Sequence, residues 1–167
     1  EKNLLLIRKS LRGERIKIND QTEAVITLSP ATIQNPHPPI WLAAFGPKAL
    51  HQAGTLGLPY IASPVETLSK LISNTLIYED AYQNSVGKAQ KVRPIMRTIF
   101  ASEKKHLVDL VKNTIKKNIQ KYPVEVDNNI DSWTIIGDPG YVRDKISHYR
   151  ERLGITDLVV TKFRLPP

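Results

Sequence analysis

The residues with the clearest chemical use stand at one turn. Ile40-Trp41-Leu42-Ala43-Ala44-Phe45 is apolar throughout and runs straight into Gly46-Pro47. An unbroken apolar run of that length reads as a strand buried on both faces, the kind found in parallel sheets. Proline suits the first position of a helix, because the N–H it lacks would have no partner there. The turn therefore predicts a helix from Pro47 to Leu56, closed by Gly57. The first turn of a helix carries free N–H groups and the positive end of the dipole, and a glycine lets an anion approach the backbone. The chemistry this arrangement suits is phosphate binding. The plain alternative is tight strand–helix packing with no ligand.

Acid–base and metal chemistry find less support. The four histidines, His37, His51, His106 and His148, are scattered and show no metal-ligand spacing. No nucleophile turn accompanies a Ser-His-Asp pattern. The chain has no cysteine, which excludes disulfides and thiolate chemistry and fits a reducing, cytoplasmic location. No catalytic residue and no metal site emerges. Arg97 interrupts an otherwise apolar run, and a charge there needs a partner or a wet cavity. It points either into the interior toward a ligand or into an ion pair near the strand end. Trp41 and Trp133 read as packing residues.

The elements that must position these groups alternate. A helix over residues 2 to 12 precedes Gly13, and two strand-like runs, Arg15 to Ile18 and Ala24 to Leu28, flank a turn at Asn19-Asp20. After the Pro-containing loop from Pro30 to Pro39 come the strand Ile40 to Phe45, its helix, and a second strand from Leu58 to Ser63. Ser63-Pro64-Val65-Glu66 has capping-box spacing and predicts a helix starting at Pro64, with Val65, Leu68, Ile72 and Leu76 on its inner face. That helix ends near Gly87. A third strand, Pro94 to Ala101, leads to a Lys-rich helix from Glu103 to Lys121 and an irregular stretch from Pro123 to Ser132. Ile135-Ile136-Gly137 reads as a turn. Asp138 caps a helix with Val142, Ile146, Tyr149 and Leu153 inward, Gly154 stops it, and a fourth strand covers Thr156 to Phe163. Strand–helix–strand units with short connections make parallel sheets. The chain reads as one α/β domain over 1–167 with a small hairpin insertion near 15–28.

At 167 residues the chain can bury a real core. The net charge of +8 falls in two groups. Lys2, Arg8, Lys9, Arg12, Arg15 and Lys17 form one, and Lys104, Lys105, Lys112, Lys116, Lys117 and Lys121 the other. Neither has interleaved aromatics or a recognisable binding module, so both read as solvated helix faces and no nucleic-acid partner is expected. No apolar run approaches a membrane span. The chain begins with Glu1 in what reads as mid-helix and stops directly after a strand, as a piece of a longer polypeptide would.

Several segments resemble the bacterial luciferase-like family of flavin-dependent oxidoreductases. They are Leu11-Arg12-Gly13-Glu14-Arg15-Ile16, the stretch Gln34 to Ala44, the positions Ala53, Gly57, Leu58 and Pro59, Ile136-Gly137-Asp138-Pro139, and Gly154 to Val160. The resemblance spans essentially the whole chain. It implies a (β/α)8 TIM-type barrel, of which this chain is similar to the carboxyl-terminal half, strands five to eight. It implies a monooxygenase that uses reduced flavin and oxygen on a small organic substrate. FMN is the expected cofactor, with a deazaflavin also possible. The flavin phosphate then falls on Ala43, Phe45, Gly46 and Ala49, and the ring lies near Ser63. Phe45, Gly46 and Ala49 stand where the luciferase α chain carries Glu, Ser and Thr, so only backbone contacts would remain. The family's catalytic histidines lie in the amino-terminal half, so the fragment alone is expected to be inactive. A non-catalytic flavin-binding relative is the alternative.

Half a barrel leaves open strand edges, and open edges recruit partners. The expected partner is the missing amino-terminal half or another copy of the chain. Light scattering on the isolated chain at high concentration should therefore report self-association, and a clean monomer would contradict it.

Overall fold

The computed structural model describes residues 2–17, 24–88, 90–121 and 126–161. The chain divides into two compact units, Glu1–Ile40 and Trp41–Pro167, each taken by itself.

In the first unit, α1 (Lys2–Leu11) is followed by Gly13 at φ 73°. Strands β1 (Ile16–Lys17) and β2 (Val25–Ile26) pair antiparallel, with Ile16 opposite Ile26. The expected Asn19-Asp20 turn between them lies outside the described residues. Thr32 Oγ1 donates to the Leu11 carbonyl at 2.6 Å and ties the following loop to the helix end. Leu5, Ile7, Val25 and Ile26 are exposed.

The second unit is α/β with every described strand pair parallel. β3 (Leu42–Ala43) pairs with β4 (Tyr60–Ile61), Leu42 opposite Tyr60. β5 (Pro94–Ala101) lies between β6 (Ile135–Gly137) and β7 (Asp157–Thr161). The connecting helices are α2 (Pro47–Thr55), α3 (Leu68–Val86), α4 (Lys105–Asn118) and α5 (Pro139–Leu153). The described strands of this unit form a two-stranded and a three-stranded sheet and do not close into a barrel.

Side-chain alternation divides the sheet into two faces. Ile95 and Ile99 of β5, Ile135 of β6 and Leu158 of β7 pack with Leu71 of α3 and Val142, Tyr149 and Leu153 of α5. Phe100 and Ile136, one residue on in each register, pack instead with Val111 and Ile115 of α4 and with Trp133. The β5–β6 pair is thus sandwiched, and all three residues of β6 are buried. This corrects one expectation. Ile135-Ile136-Gly137 is a strand rather than a turn, because two apolar layers meet on it. The Lys-rich helix covers the opposite face from α5.

The remaining helices hold the first two strands. α2 and α3 meet closely at Gly54, where an added Cβ would lie 2.6 Å from the Tyr78 carbonyl and 2.8 Å from Ala81 Cβ. Tyr78 of α3 donates its hydroxyl to the Leu58 carbonyl at 3.0 Å. Burial pushes that phenol up to about 12, so it remains a donor at ordinary pH. The inner face of α3 differs from expectation. Leu71, Asn74, Tyr78, Ala81 and Tyr82 are buried, whereas Leu76 is 65% exposed and Val65 precedes the helix. The start of α3 differs too. Thr67 is the cap, its Oγ1 accepting from the Lys70 N–H at 3.3 Å, and Ser63 to Glu66 form a turn. The cap at Asp138 is as expected, its carboxylate accepting from the Tyr141 N–H at 3.0 Å.

Glu66 in that turn accepts from Asn74 Nδ2 at 3.2 Å. Burial raises its carboxyl pKa above the usual range, with Asn74, Arg97 and Lys70 pulling it partly back. A carboxyl raised on folding binds its proton more tightly in the folded state. Its contribution to stability is then largest below the unfolded pKa and is lost as the pH rises through the folded pKa. Glu66→Gln keeps the acceptor for Asn74 and removes the buried charge. Thermal melts should show E66Q with a higher Tm than the wild type at pH 7 and the gap closing by about pH 4. A lower Tm for E66Q at pH 7 would mean that attraction to Arg97 outweighs desolvation.

Candidate functional site

The carboxyl ends of β3 and β4 lie side by side. Leu42 and Ala44 pack toward α2 and α3 in a cluster with Leu50, Ala53, Tyr78 and Tyr82. Alternation then sends Ala43 and Phe45 to the opposite face, where Ala43 is exposed and Phe45 is 60% exposed. The expectation that Ile40 to Phe45 is buried on both faces is therefore corrected: among the described residues, only one face is covered. Ala62 packs with α3 and α5, which carries Ser63 to the same open face as Phe45.

Gly46 makes the turn from β3 into α2 at φ 84°, ψ 163°, a region open essentially to glycine alone. An added Cβ would meet nothing within 4 Å, so the space beside the turn is free. Pro47 occupies the first turn, and no side chain caps this helix, unlike α3 and α5. The N–H groups of Lys48 and Ala49 precede the first i to i−4 acceptor, which is the Gly46 carbonyl bound by the Leu50 N–H at 3.1 Å. Ala49 turns its methyl toward the α2–α3 cluster, leaving only its backbone for an anion. The exposed Lys48 adds a positive charge. This cradle suits a phosphate or another small anion.

The structure brings Ala43, Phe45 and Gly46 together at one strand end and places Ser63 on the same face of the neighbouring strand. Arg97 belongs to neither of its two expected settings. Its side chain is fully buried on the helix-facing side of β5. Nη1 donates to the carbonyls of Ser63 (3.1 Å) and Met96 (2.8 Å), and Nη2 to that of Glu66 (3.0 Å). The guanidinium carbon lies 5.1 Å from the centre of the Tyr149 ring. Burial lowers its pKa, with Tyr149 and Glu66 opposing that shift, yet an arginine remains charged.

Sequence reasoning missed a hydroxyl pair. Thr98 and Thr161 face each other across β5 and β7, Oγ1 to Oγ1 2.8 Å, on the face that also carries Met96 and Val159. Polar residues two apart from apolar ones in Met96-Arg97-Thr98 carried that signal. A second cleft lies between α4 and the start of α5, lined by Ser102, Lys105, Lys112, Asp131, Asp138 and Tyr141. Its carboxylates outnumber its lysines, because Glu103 and Asp109 line it too, and Lys112 Nζ is held 2.8 Å from Asp131 Oδ1, so it suits an anion less well than Gly46. A partly open pocket of about 30 Å³ at the amino ends of β4 and β5, beside Tyr60, Thr75, Glu79 and Arg93, has room for water only. Among the described residues no cluster of His, Asp or Glu could hold a metal ion, and no helix is long and apolar enough to cross a membrane.

No protein-family model matches the chain, and no curated protein matches it. Solved structures do. Monooxygenase RslO1 from Streptomyces bottropensis superposes with a TM-score of 0.72 at 17% identity, over 99% of this chain and 54% of that one. A type II Baeyer-Villiger monooxygenase is the oxygenating constituent of 3,6-diketocamphane monooxygenase from the CAM plasmid of Pseudomonas putida. In its complex with FMN it gives 0.69 at 14% identity, over 98% of this chain and 56% of that one. The coenzyme F420 dependent tetrahydromethanopterin reductase from Methanopyrus kandleri gives 0.63 at 19%, over 95% and 55%. The chain spans about half the length of these structures and shares the fold of that half.

Proposed function

We propose that this chain is the flavin-phosphate-binding part of a luciferase-like flavin-dependent monooxygenase, corresponding to strands five to eight of a (β/α)8 barrel. The observation that carries the reading is the Gly46 cradle: a glycine-only backbone angle, open space beside it, and an uncapped helix start at the carboxyl end of a parallel strand. Anions are held at such positions by backbone N–H groups and the helix dipole. The resemblance of the sequence and the FMN bound to a solved structure of the same fold support the choice of ligand. The F420-dependent neighbour keeps a deazaflavin as the variant of the same proposal.

In this reading the Lys48 and Ala49 N–H groups hold the phosphate, because Phe45, Gly46 and Ala49 bring no polar side chain. Ala43 and Phe45 wall the approach on the open face. Ser63 presents a hydroxyl to the ring. Bound flavin supplies the electrons and the reaction with oxygen on a small organic substrate. None of the five site residues is an acid–base group at neutral pH, which favours a second reading, a flavin-binding relative without turnover. A turnover assay with reduced flavin separates the two.

Fluorescence titration with FMN tests the shared premise. The wild-type chain should quench FMN fluorescence on binding, and Gly46→Ala should weaken the affinity by roughly 10-fold or more, because the site's backbone angle is strained for any other residue. No binding by the wild type, or equal binding by G46A, would contradict the proposal.

A further inference from the structure

A buried arginine is costly unless its donors are used. Arg97 spends its two terminal nitrogens on main-chain carbonyls, while among the described residues its buried Nε has no hydrogen-bond partner and no carboxylate lies within ion-pair distance. The Glu66 carboxylate turns to Asn74 instead. Two of the three acceptors, the Ser63 and Glu66 carbonyls, belong to the turn that links β4 to α3. The third, the Met96 carbonyl, fixes the guanidinium to its own strand. The same turn is closed by one long backbone bond, from the Glu66 N–H to the Ser63 carbonyl at 3.3 Å. The Ser63 carbonyl therefore accepts both from the far end of its own turn and from Arg97, whose planar fork reaches the carbonyls at the turn's two ends. Tyr149 walls the guanidinium, and the Arg97 side chain is fully buried.

We propose that Arg97 is a positioning residue for the site: by gripping the Ser63 and Glu66 carbonyls from the helix side, it sets where the Ser63 hydroxyl stands on the open face. Among the described residues, the hydrogen bond Ser63 Oγ makes is a long one, accepted from the Val65 N–H at 3.5 Å. Its placement follows the backbone beneath it, and that contact does not use its proton. A lysine has one nitrogen in place of the fork and cannot span both carbonyls. The part of this proposal that concerns the ligand rests on the flavin reading above. The grip itself does not.

The test has two arms on the full chain. In the first, hydrogen exchange followed residue by residue compares wild type, Arg97→Lys and, as a control for general loosening, Ile135→Val. Exchange of the Glu66 amide should rise by about 10-fold in R97K relative to the Leu50 and Val111 amides, and should not do so in I135V. A uniform rise or no rise at Glu66 would overturn the grip. Arg97→Met is a second probe, and R97K keeps the test alive if that variant does not fold. In the second arm, FMN affinity is measured for R97K, S63A and the double variant. If Arg97 acts through Ser63, R97K weakens binding by roughly 5-fold with Ser63 present and by less than about 2-fold in the S63A background. Equal losses in both backgrounds would overturn the link to Ser63. Wild-type protein that binds no FMN would sink the flavin reading and its Ser63 consequence, while the exchange arm would still decide the grip.

Discussion

Parallel pairing is the constraint from which the rest follows. Neighbouring parallel strands need a crossover between them, and here the crossovers are helices. β3 reaches β4 through α2, β4 is followed by α3, and β5 and β7 are separated by α4, β6 and α5. The carboxyl ends of β3 and β4 consequently emerge together, each leading into a helix. That is the end of an α/β sheet where loops gather and ligands bind. The Gly46 turn and the Ser63 turn occupy it because chain direction puts them there.

The energetics are uneven across this arrangement. β5 and β6 are held between two apolar layers, with Trp133, Ile135 and Ile136 fully buried. Burying a tryptophan removes about 150–250 Å² of surface from water, so this region is the anchor of the fold. The β3–β4 edge is covered on one face only. Its two strands are joined by backbone contacts, Leu42 N–H to the Pro59 carbonyl at 2.8 Å and Ala44 N–H to the Ile61 carbonyl at 3.4 Å, and Tyr60 ties β4 to Thr75 of α3 at 3.1 Å. Arg97 joins the two regions. It starts on the well-packed strand and ends on the turn beyond β4, and hydrogen bonds from a charged donor contribute about 1.5–3 kcal/mol each.

Much of this was legible in the residues. Pro94 to Ala101 is read with the bounds the structure gives it, because an apolar run between turn signals has one good solution. Asp138-Pro139 declares its helix through an acceptor at the cap and a proline in the first turn. The Gly46-Pro47 turn declares itself through the glycine and the proline alone, with no capping side chain. The failures are those of context. β6 is three residues long, too short for any periodicity, and is a strand only because β5 and two apolar clusters close around it. Ser63 and Thr67 both offer a capping oxygen. The choice falls to Thr67 because Arg97 holds the Ser63 and Glu66 carbonyls in a turn, an interaction with main-chain atoms that side-chain identity does not reveal. The apolar run at Ile40 reads as buried on two faces, but whether a second layer exists is a property of the whole sheet.

The central claim is that the uncapped start of α2, set by Gly46, is where this fold accepts an anion. The most direct measurement is a map of backbone amide shifts by NMR as FMN is added, with inorganic phosphate as a second ligand. The account predicts that the Gly46, Lys48 and Ala49 amides move with both ligands and that Ser63 and Val65 move with FMN alone. Shifts confined to the cleft beside Lys112 and Tyr141, or none at Lys48 and Ala49, would contradict it.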